Sequence, residues 1–400
     1  MSKPKFEGGP GIYFYSWEEH GVSIRLDRIY EDTRHNITCE VTVKHLSGEH
    51  IHQARLNLSS SAAREKLGKM LKARLDLDWY ELLEVACVNT LDKYRAGEPV
   101  IRLDELPEGE KLRWRLEPIL VDSYPNLIYG PGGIGKSLLA VYLGVLVSSP
   151  HSHNGLIPEP GNVLYLDWEF SDEETRDRAD ALLVGMMGVR GSYIYYRFCF
   201  RPFGDDIEEI RKVVVENNIK LVVLDSAGPA CGGQPESAEA TLKMFTALRS
   251  LRGVTALILA HEAKNATEKS PFGSVYWTNL SRSVYQMRKV QDLESNVMNV
   301  SLLHKKANTG KLQKPLGFRF TFMDDGSITV AKADVRESPE LVKGLPTKYQ
   351  LVSVLRYGSM SVQAMMDETG LPKSTIAPAL TRGEEFVQLG NGDWGLAVNA

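Results

Sequence analysis

The chain of 400 residues is 43% hydrophobic and 24% charged, and its formal net charge at pH 7 is −4. This length predicts two or three domains, and the composition excludes a wholly disordered chain. The negative charge argues against a protein that coats DNA over its whole surface, although it does not exclude a local basic channel.

Residues 1–115 are predicted to form a small N-terminal α+β domain. Apolar and polar residues alternate at period two, which is typical of half-buried strands, in four segments: Gly11–Trp17, Val22–Tyr30, Ile37–Lys44 and His50–Leu58. Helical periodicity follows in Ser61–Leu75 and Leu77–Ala96, with an N-cap expected at Ser60–Ser61. The acidic, proline-containing stretch Glu98–Glu110 is interpreted as a linker. This domain contains no recognisable catalytic constellation.

Residues 116–334 alternate strand-like and helical patterns, which indicates βαβ units and a mostly parallel sheet covered on both faces. The strand-like runs are Asn126–Tyr129, Val163–Asp167, Tyr193–Phe198, Lys220–Asp225 and Thr255–Ala260. Four further runs have no helical pattern between them and predict an antiparallel extension: Ser283–Lys289, Met298–His304, Gly317–Phe322 and Ser327–Ala331. The expected fold class of this domain is therefore α/β.

After a polar linker at Asp334–Pro346, residues 347–400 predict a winged helix-turn-helix domain. A helical pattern at Met360–Thr369 is followed by a Gly-Leu-Pro turn and by Lys373–Arg382, which would be the recognition helix, and a hairpin is expected around Asn391–Gly392. This domain has four Lys or Arg against five acidic residues. A DNA-reading domain is usually more basic, so contact with a protein partner and contact with duplex DNA stay open alternatives.

The clearest motif is GPGGIGKS at Gly130–Ser137, which matches G-x-x-x-x-G-K-[ST] at every fixed position and lies between a predicted strand and a predicted helix. Glycines allow successive backbone N–H groups to turn toward phosphates, and the helix N-terminus adds a favourable field. Lys136 is expected to reach the β- and γ-phosphates of ATP, and the Ser137 hydroxyl to ligate Mg²⁺. The glycines assigned to nucleotide binding are Gly130, Gly132, Gly133 and Gly135.

Two later strands end in carboxylates. Asp225 ends the apolar run Leu221–Leu224, a pattern that indicates a buried strand delivering an acid to the Mg²⁺ shell. Asp167 and Glu169 lie two residues apart and therefore share one face of an extended chain. Attack on a γ-phosphate requires a base that orients water. We assign this role to Glu169, with Asp167 as the alternative.

The ordered motifs GPGGIGKS, VLYLDWEF, LVVLD and LILAHEAK resemble those of the RecA-like ATPases, particularly the RepA and DnaB-type hexameric replicative helicases. The resemblance covers roughly residues 116–334. It implies an ATPase that uses ATP and Mg²⁺, binds single-stranded DNA and assembles as a homo-hexamer or another ring. It also implies that His261, which follows the strand Thr255–Ala260, is the sensor that couples the γ-phosphate to the nucleic-acid loops. Without the resemblance, a structural histidine is the alternative.

The family also implies a cation that acts on the nucleotide of the neighbouring subunit. The segment from Lys305 to Gly310 resembles its K-x-[NR]-x-G element, which makes Lys306 the candidate. Many relatives have arginine where this chain has Asn308, and an amide cannot neutralise developing charge. Arg282 is the competing candidate, and a solvated charged turn is the structural alternative.

Two loops that follow motif-bearing strands are the expected DNA contacts, because both contain glycine or proline and small polar residues. They are Gly228–Ser237 and Ala263–Gly273, and the second contains Lys264 and Lys269. Residues 281–316 hold seven Lys or Arg against two acids, a local balance of +5 that suits phosphate contact. A solvated face explains this charge equally well.

These observations favour an ATP-driven, ring-forming DNA helicase or translocase that serves the replication of a plasmid, phage or other mobile element. A second hypothesis is an ATP-switched DNA-binding scaffold that recruits partners through its N- or C-terminal domain without unwinding. A small-molecule kinase is disfavoured, because no lid with clustered arginines follows the core.

The expected location is the cytoplasm, without a membrane partner. No apolar run reaches the roughly 18 residues of a membrane span, and the most apolar stretch, Leu138–Val147, is too short. The N-terminal sequence MSKPKFEGGP lacks the apolar core of a secretory signal. The four cysteines lie far apart without CxxC spacing, so neither a zinc site nor a disulfide framework is predicted.

Overall fold

The structure, a computed structural model, describes residues 3–9, 11–96, 100, 102–105, 112–169, 171–186, 194–263, 271–272, 275–292, 294–308, 310–337, 339–342 and 345–397. The chain divides into two compact units. The smaller unit comprises residues 1–110 and 206–216, and the larger unit comprises residues 111–205 and 217–400. Within the described ranges, no helix is both long and apolar enough to cross a membrane.

The smaller unit is built on a five-stranded antiparallel sheet in which each strand pairs with the next along the chain. Its strands are β1 (Lys5–Gly9), β2 (Ile12–Trp17), β3 (Val22–Glu31), β4 (Ile37–His45) and β5 (His50–Asn57). The strands β2 to β5 coincide with the four segments whose period-two alternation predicts strands.

Two helices, α1 (Ser61–Lys72) and α2 (Trp79–Ala96), pack on the apolar side chains of this sheet. The helix α1 begins at the predicted N-cap, where the Ser60 hydroxyl accepts a hydrogen bond from the Ala63 backbone N–H at 3.2 Å. The shared core includes Trp17, Ile24, Val41, Val43, Leu67, Leu71, Trp79 and Leu83. The smaller unit therefore has its own hydrophobic core.

The helix Ile207–Glu216 belongs to the smaller unit, although the chain on either side of it belongs to the larger one. Its Ile210 and Val214 side chains are buried, and its Glu209 forms an ion pair with Arg28 of β3. The sequence predicts a helix between two strands of the second domain, but its packing with residues 1–110 was not predicted.

The larger unit contains a nine-stranded main sheet and a three-stranded small sheet. Its strands are β6 (Trp114–Glu117), β7 (Leu120–Val121), β8 (Pro125–Gly130), β9 (Ile157–Pro158), β10 (Asn162–Asp167), β11 (Ile194–Phe198), β12 (Ile219–Asp225), β13 (Thr255–His261), β14 (Ser283–Val290), β15 (Val297–Ala307), β16 (Leu316–Phe322) and β17 (Ile328–Lys332). The helices along the same stretch of chain are α3 (Lys136–Val147), α4 (Asp172–Gly185), α5 (Ile207–Glu216, in the smaller unit), α6 (Ala227–Ala230), α7 (Ala238–Ser250), α8 (Val275–Leu280) and α9 (Pro339–Val342).

The main sheet has the strand order β11-β10-β12-β13-β8-β14-β15-β16-β17. Every described pair from β11 to β14 is parallel, and β15 to β17 continue the sheet antiparallel. The mostly parallel sheet is therefore confirmed. The prediction that Ser283–Lys289 opens the antiparallel extension was wrong, since β14 runs parallel to β8. The short helix α8 precedes β14 and lies in the crossover connection that a parallel pair requires.

The core of the larger unit surrounds α3. Every residue of this helix except Ser137 is buried, so it is apolar on all sides rather than on one stripe. It packs against the strands β8, β10, β12 and β13 and against α4. This burial fixes the start of α3, and thus the loop before it, relative to the ends of the parallel strands.

Three helices and a two-stranded hairpin end the described chain: α10 (Thr347–Leu355), α11 (Val362–Thr369), α12 (Lys373–Arg382), β18 (Phe386–Gln388) and β19 (Trp394–Leu396). The helix α11 ends at Gly370, which adopts φ of +70°. Pro378 lies inside α12. The helices α11 and α12 and the hairpin follow the predicted order, α10 comes before them without having been predicted, and a winged-helix function for this region stays a prediction.

Candidate functional site

The phosphate-binding loop joins the end of β8 to the start of α3. Gly133 and Gly135 adopt φ of +70° and +85°, a conformation that side chains with a Cβ rarely adopt. At Gly130, a Cβ would lie 2.5 Å from the Ile134 Cδ1 atom and 2.8 Å from the Met287 carbonyl oxygen. Gly130, Gly133 and Gly135 are therefore required by the backbone itself and not only by a ligand.

The start of α3 fits a triphosphate. Gly135 is the N-cap and provides no side-chain cap, so the first N–H groups of the helix remain as donors for phosphate oxygens. The buried Lys136 ammonium donates to the carbonyl oxygens of Gly130 (3.2 Å) and Pro131 (2.7 Å), within the same loop. Burial lowers the pKa of Lys136, and the neighbouring carboxylates of Asp225 and Glu169 partly oppose this effect.

Asp225 lies at the end of β12, beside the start of α3. Its carboxyl group is buried and accepts hydrogen bonds from the Tyr165 hydroxyl at 2.6 Å and from the Ser137 hydroxyl. Burial raises the pKa of Asp225, and these two hydrogen bonds oppose the rise. Oxygen ligands such as the Ser137 hydroxyl and the Asp225 carboxylate are those that Mg²⁺ prefers, so this pair fits a Mg²⁺ ion bound to nucleotide phosphates.

Asp167 and Glu169 have different surroundings, although they end the same strand. Asp167 is fully buried and accepts hydrogen bonds from the Glu169 backbone N–H (2.8 Å), the Tyr196 hydroxyl (3.2 Å) and the Thr175 hydroxyl (3.4 Å). The Glu169 side chain is 33% exposed and points toward the phosphate-binding loop side of the sheet edge, with His261 beside it. The geometry makes Asp167 an anchor for the turn and leaves Glu169 accessible to water.

The Glu169 carboxylate contacts two polar side chains from neighbouring strands. It accepts a hydrogen bond from the Ser226 hydroxyl, and the His261 Nε2 atom lies 3.9 Å from its Oε1 atom. The His261 imidazole is the largest cause that lowers the pKa of Glu169, the Ser226 hydroxyl acts in the same direction, and burial opposes both. The separation of 3.9 Å between these two atoms is longer than a typical hydrogen bond.

His261 is the last residue of β13 and lies between Glu169 and the phosphate-binding loop. A Cβ on Gly132 would lie 3.9 Å from its Cε1 atom, and its ring packs edge-on against Phe272. The structure therefore brings together the loop, Asp225, Glu169 and His261, as the sequence predicted from four separate motifs.

Several neighbours of the site were not predicted from the sequence. Ser226 follows Asp225 directly, so it could have been predicted as a site residue from its place in the sequence. Tyr165 lies two residues before Asp167 on the same strand face, which is a weaker signal. Lys289 donates to the Gly133 carbonyl oxygen at 2.8 Å and lies 156 residues from it in the chain, so no local pattern could reveal it.

Lys306 and Arg282 lie at the opposite edge of the sheet from the phosphate-binding loop. Val284 pairs with both Leu127 and Lys306, near the start of β8, whereas the loop follows the end of β8. Leu127 lies three residues before Gly130, which is roughly 10 Å along β8. Both cations have their partners near the start of β8, away from the loop of their own chain.

The two cations have different partners. The Lys306 ammonium donates to the carbonyl oxygens at the end of α8, those of Thr278 (2.7 Å), Asn279 (2.9 Å) and Ser281 (2.9 Å). The Arg282 guanidinium lies over the Tyr124 ring at 4.5 Å. It lines a cavity of about 460 Å³ that is also lined by Arg249, Arg252 and Asn308.

The structure describes all of one predicted DNA loop and only a small part of the other. In Gly228–Ser237, the Pro235 carbonyl oxygen accepts a hydrogen bond from the Trp277 indole at 2.7 Å, so part of this loop is held by α8. Most of Ala263–Gly273, including Lys264 and Lys269, lies outside the described residues.

Residues 94–267 match the family model of an AAA domain, which is less than half of the chain. Among solved structures, the chain is similar to a KaiC-like protein from the hyperthermophilic archaeon Pyrococcus horikoshii, with 17% identity and a TM-score of 0.38 over 55% of this chain and 94% of that one. No curated protein sequence matches the chain. With the loop and sheet geometry, the domain match supports a RecA-like P-loop ATPase, a class that generally binds ATP with Mg²⁺.

The loop geometry predicts different effects of alanine at two of its glycines. Gly130→Ala places its Cβ against Ile134 and the Met287 carbonyl, so it should lower the free energy of unfolding without nucleotide by about 1–3 kcal/mol. Gly132→Ala meets nothing closer than 3.9 Å and should leave that value unchanged. Denaturant titration of both variants tests this, and equal stability of the two would contradict the described packing.

Proposed function

We propose that this protein is an ATP-driven, ring-forming DNA helicase or translocase of the RepA/DnaB type, acting in the replication of a plasmid, phage or other mobile element. The observation that supports it best is the position of His261. Its Nε2 atom lies 3.9 Å from Glu169, and its Cε1 atom lies 3.9 Å from where a Cβ on Gly132 of the phosphate-binding loop would be. This residue ends β13, directly before the predicted DNA loop Ala263–Gly273. The loss of the γ-phosphate on hydrolysis would therefore be transmitted to that loop through the His261 side chain.

In the proposed reaction, Lys136 and the N–H groups at the start of α3 bind the phosphates. Ser137 and Asp225 would hold Mg²⁺, which neutralises charge on the β- and γ-phosphates. The Glu169 carboxylate accepts a proton from the attacking water, and the Ser226 hydroxyl keeps that carboxylate oriented. The lowered pKa of Glu169 keeps it ionised at neutral pH, which is the state that a general base requires.

The proposed ring follows from the two edges of the main sheet. The phosphate-binding loop lies at the carboxyl edge of the parallel strands, and Arg282 and Lys306 lie at the amino edge. If these cations act on ATP, that ATP must be bound by another copy. Such a head-to-tail contact forms a ring when the rotation between neighbouring copies closes after a whole turn. Arg282, in a cavity with Arg249 and Arg252, is the better candidate, because the Lys306 ammonium already has three carbonyl partners.

Single-stranded DNA is the proposed partner. The local balance of +5 in residues 281–316 suits phosphate contact. The two predicted loops follow β12 and β13 in the chain, the strands that end in Asp225 and His261. The N- and C-terminal domains are proposed to bind further partners, and the near-neutral balance of residues 347–400 allows a protein or a duplex there.

Glu169→Gln should retain ATP binding and lower the hydrolysis rate by roughly 10²–10⁴-fold. In the unaltered protein, hydrolysis should decline in acid, as the pH falls through the lowered pKa of Glu169 and its carboxylate is protonated. Asp167→Asn is the matched control, and it should lower thermal stability because Asp167 is a buried anchor. The measurements are phosphate release, binding of a fluorescent ATP analogue and thermal unfolding. Near-normal hydrolysis by Glu169→Gln would assign the base elsewhere.

Assembly and unwinding are tested together on the full chain. Light scattering with an ATP analogue and oligothymidine should show a ring-sized oligomer, and a forked duplex should be unwound only when ATP is hydrolysed. Assembly on DNA with slow turnover and no strand displacement would instead support the ATP-switched scaffold. A monomer whose ATPase is indifferent to DNA would contradict both.

The same assay can assign the trans-acting cation. Chains with Arg282→Ala and chains with Lys136→Ala should each fail to unwind the forked duplex alone. Mixing them should restore part of the unwinding, because some interfaces in a mixed ring combine an intact Lys136 from one chain with an intact Arg282 from its neighbour. Lys306→Ala serves as the comparison. If Arg282→Ala chains unwind normally and recovery is seen instead when Lys306→Ala chains are mixed with Lys136→Ala chains, the trans-acting cation is Lys306.

A further inference from the structure

An exposed aromatic pair lies where β11 ends. Phe200 is 88% exposed and Phe198 is 40% exposed, and their rings meet edge to face with centroids 4.7 Å apart. Arg197 and Arg201 flank the pair in the sequence. Large aromatic side chains that are exposed next to each other form an apolar surface patch, and such a patch indicates contact with another molecule. We call Phe198, Phe200 and Arg201 the aromatic platform.

Hydrogen bonds fasten the aromatic platform to the strand that carries the catalytic turn. The Cys199 N–H donates to the Asp167 carbonyl oxygen at 2.7 Å, and the Trp168 indole donates to the Arg201 carbonyl oxygen at 3.0 Å. Glu169 follows Trp168 directly. A displacement of this turn would therefore move the aromatic platform as well.

The aromatic platform also adjoins one of the predicted DNA loops. Gly232, in Gly228–Ser237, adopts φ of +72° and lies so close to Pro202 that a Cβ would be 2.5 Å from the Pro202 Cβ atom. Pro202 follows Arg201 in the chain. The loop and the aromatic platform thus share the carboxyl edge of the sheet, on the side where β11, β10 and β12 end.

We propose that the aromatic platform stacks bases of single-stranded DNA, with Arg201 adding positive charge beside the phosphates. This inference rests on the proposed function, since DNA is its ligand. An aromatic ring accepts the flat face of any base, and positive charge beside the rings attracts the phosphate backbone of a single strand. The assignment adds a DNA contact outside the two loops that the sequence indicated.

The size of the aromatic platform favours a base over a protein. A stable protein interface buries about 800 Å² on each partner. Two phenylalanine side chains offer at most about 500 Å² together, and one of them is more than half buried already. One or two bases match that area.

The test measures binding of labelled oligothymidine to the full chain by fluorescence anisotropy, with an ATP analogue present. Phe200→Ala should raise Kd roughly tenfold, which is about 1.4 kcal/mol, without changing the slope of binding against salt. Phe200→Trp should keep the affinity, and DNA should quench its added fluorescence. Tyr357→Ala is the matched control, because Tyr357 is 72% exposed but lies in the C-terminal region, and it should change Kd less than twofold.

The outcomes separate this inference from the proposed function. If the unaltered chain binds oligothymidine and Phe200→Ala binds it equally well, the platform assignment is wrong and the DNA function stands. If the unaltered chain binds no DNA, both are wrong. If Phe200→Ala changes the size of the assembly but not its DNA affinity, the pair is a subunit contact, which also overturns the inference.

Discussion

The site depends on the parallel register of β10 and β12. Asp167 pairs with Asp225 in this register, and the Trp168 N–H donates to the Asp225 carbonyl oxygen at 2.8 Å, so the two strands end level with each other. A slip of one residue would turn the side chains of one strand to the other face of the sheet. It would then separate Glu169 from Ser226 and Asp225 from Ser137. The chemistry of the site is therefore a consequence of strand pairing.

Buried carboxylates at two strand ends must have hydrogen-bond partners, because an unpaired buried charge is costly. Tyrosines meet this requirement for both: Tyr165 donates to Asp225 at 2.6 Å and Tyr196 donates to Asp167 at 3.2 Å. The two rings stack with centroids 6.5 Å apart, which ties the partners to each other. Each aspartate is thus held, and only Glu169 keeps the access to water that a base needs.

The two edges of the main sheet have different chemistry. The carboxyl edge gathers the phosphate-binding loop, Glu169, His261 and the aromatic platform. The amino edge gathers Arg282 with Arg249 and Arg252 around one cavity. The length of β8 keeps these edges apart within one chain, so any joint action on ATP requires a second copy. The Lys306 ammonium, near the same edge, donates to the carbonyl oxygens at the end of α8.

The sequence by itself determined the phosphate-binding loop, the order of strands and helices, and the acids at strand ends, because each depends on residues that are near each other in the chain. It could not separate Asp167 from Glu169 by spacing alone, since their difference lies in partners such as Ser226, 57 residues away. Nor could it show that β14 runs parallel to β8 or that α5 packs with residues 1–110. Those features are decided by burial and hydrogen bonding between segments distant in sequence, which only the tertiary structure brings together.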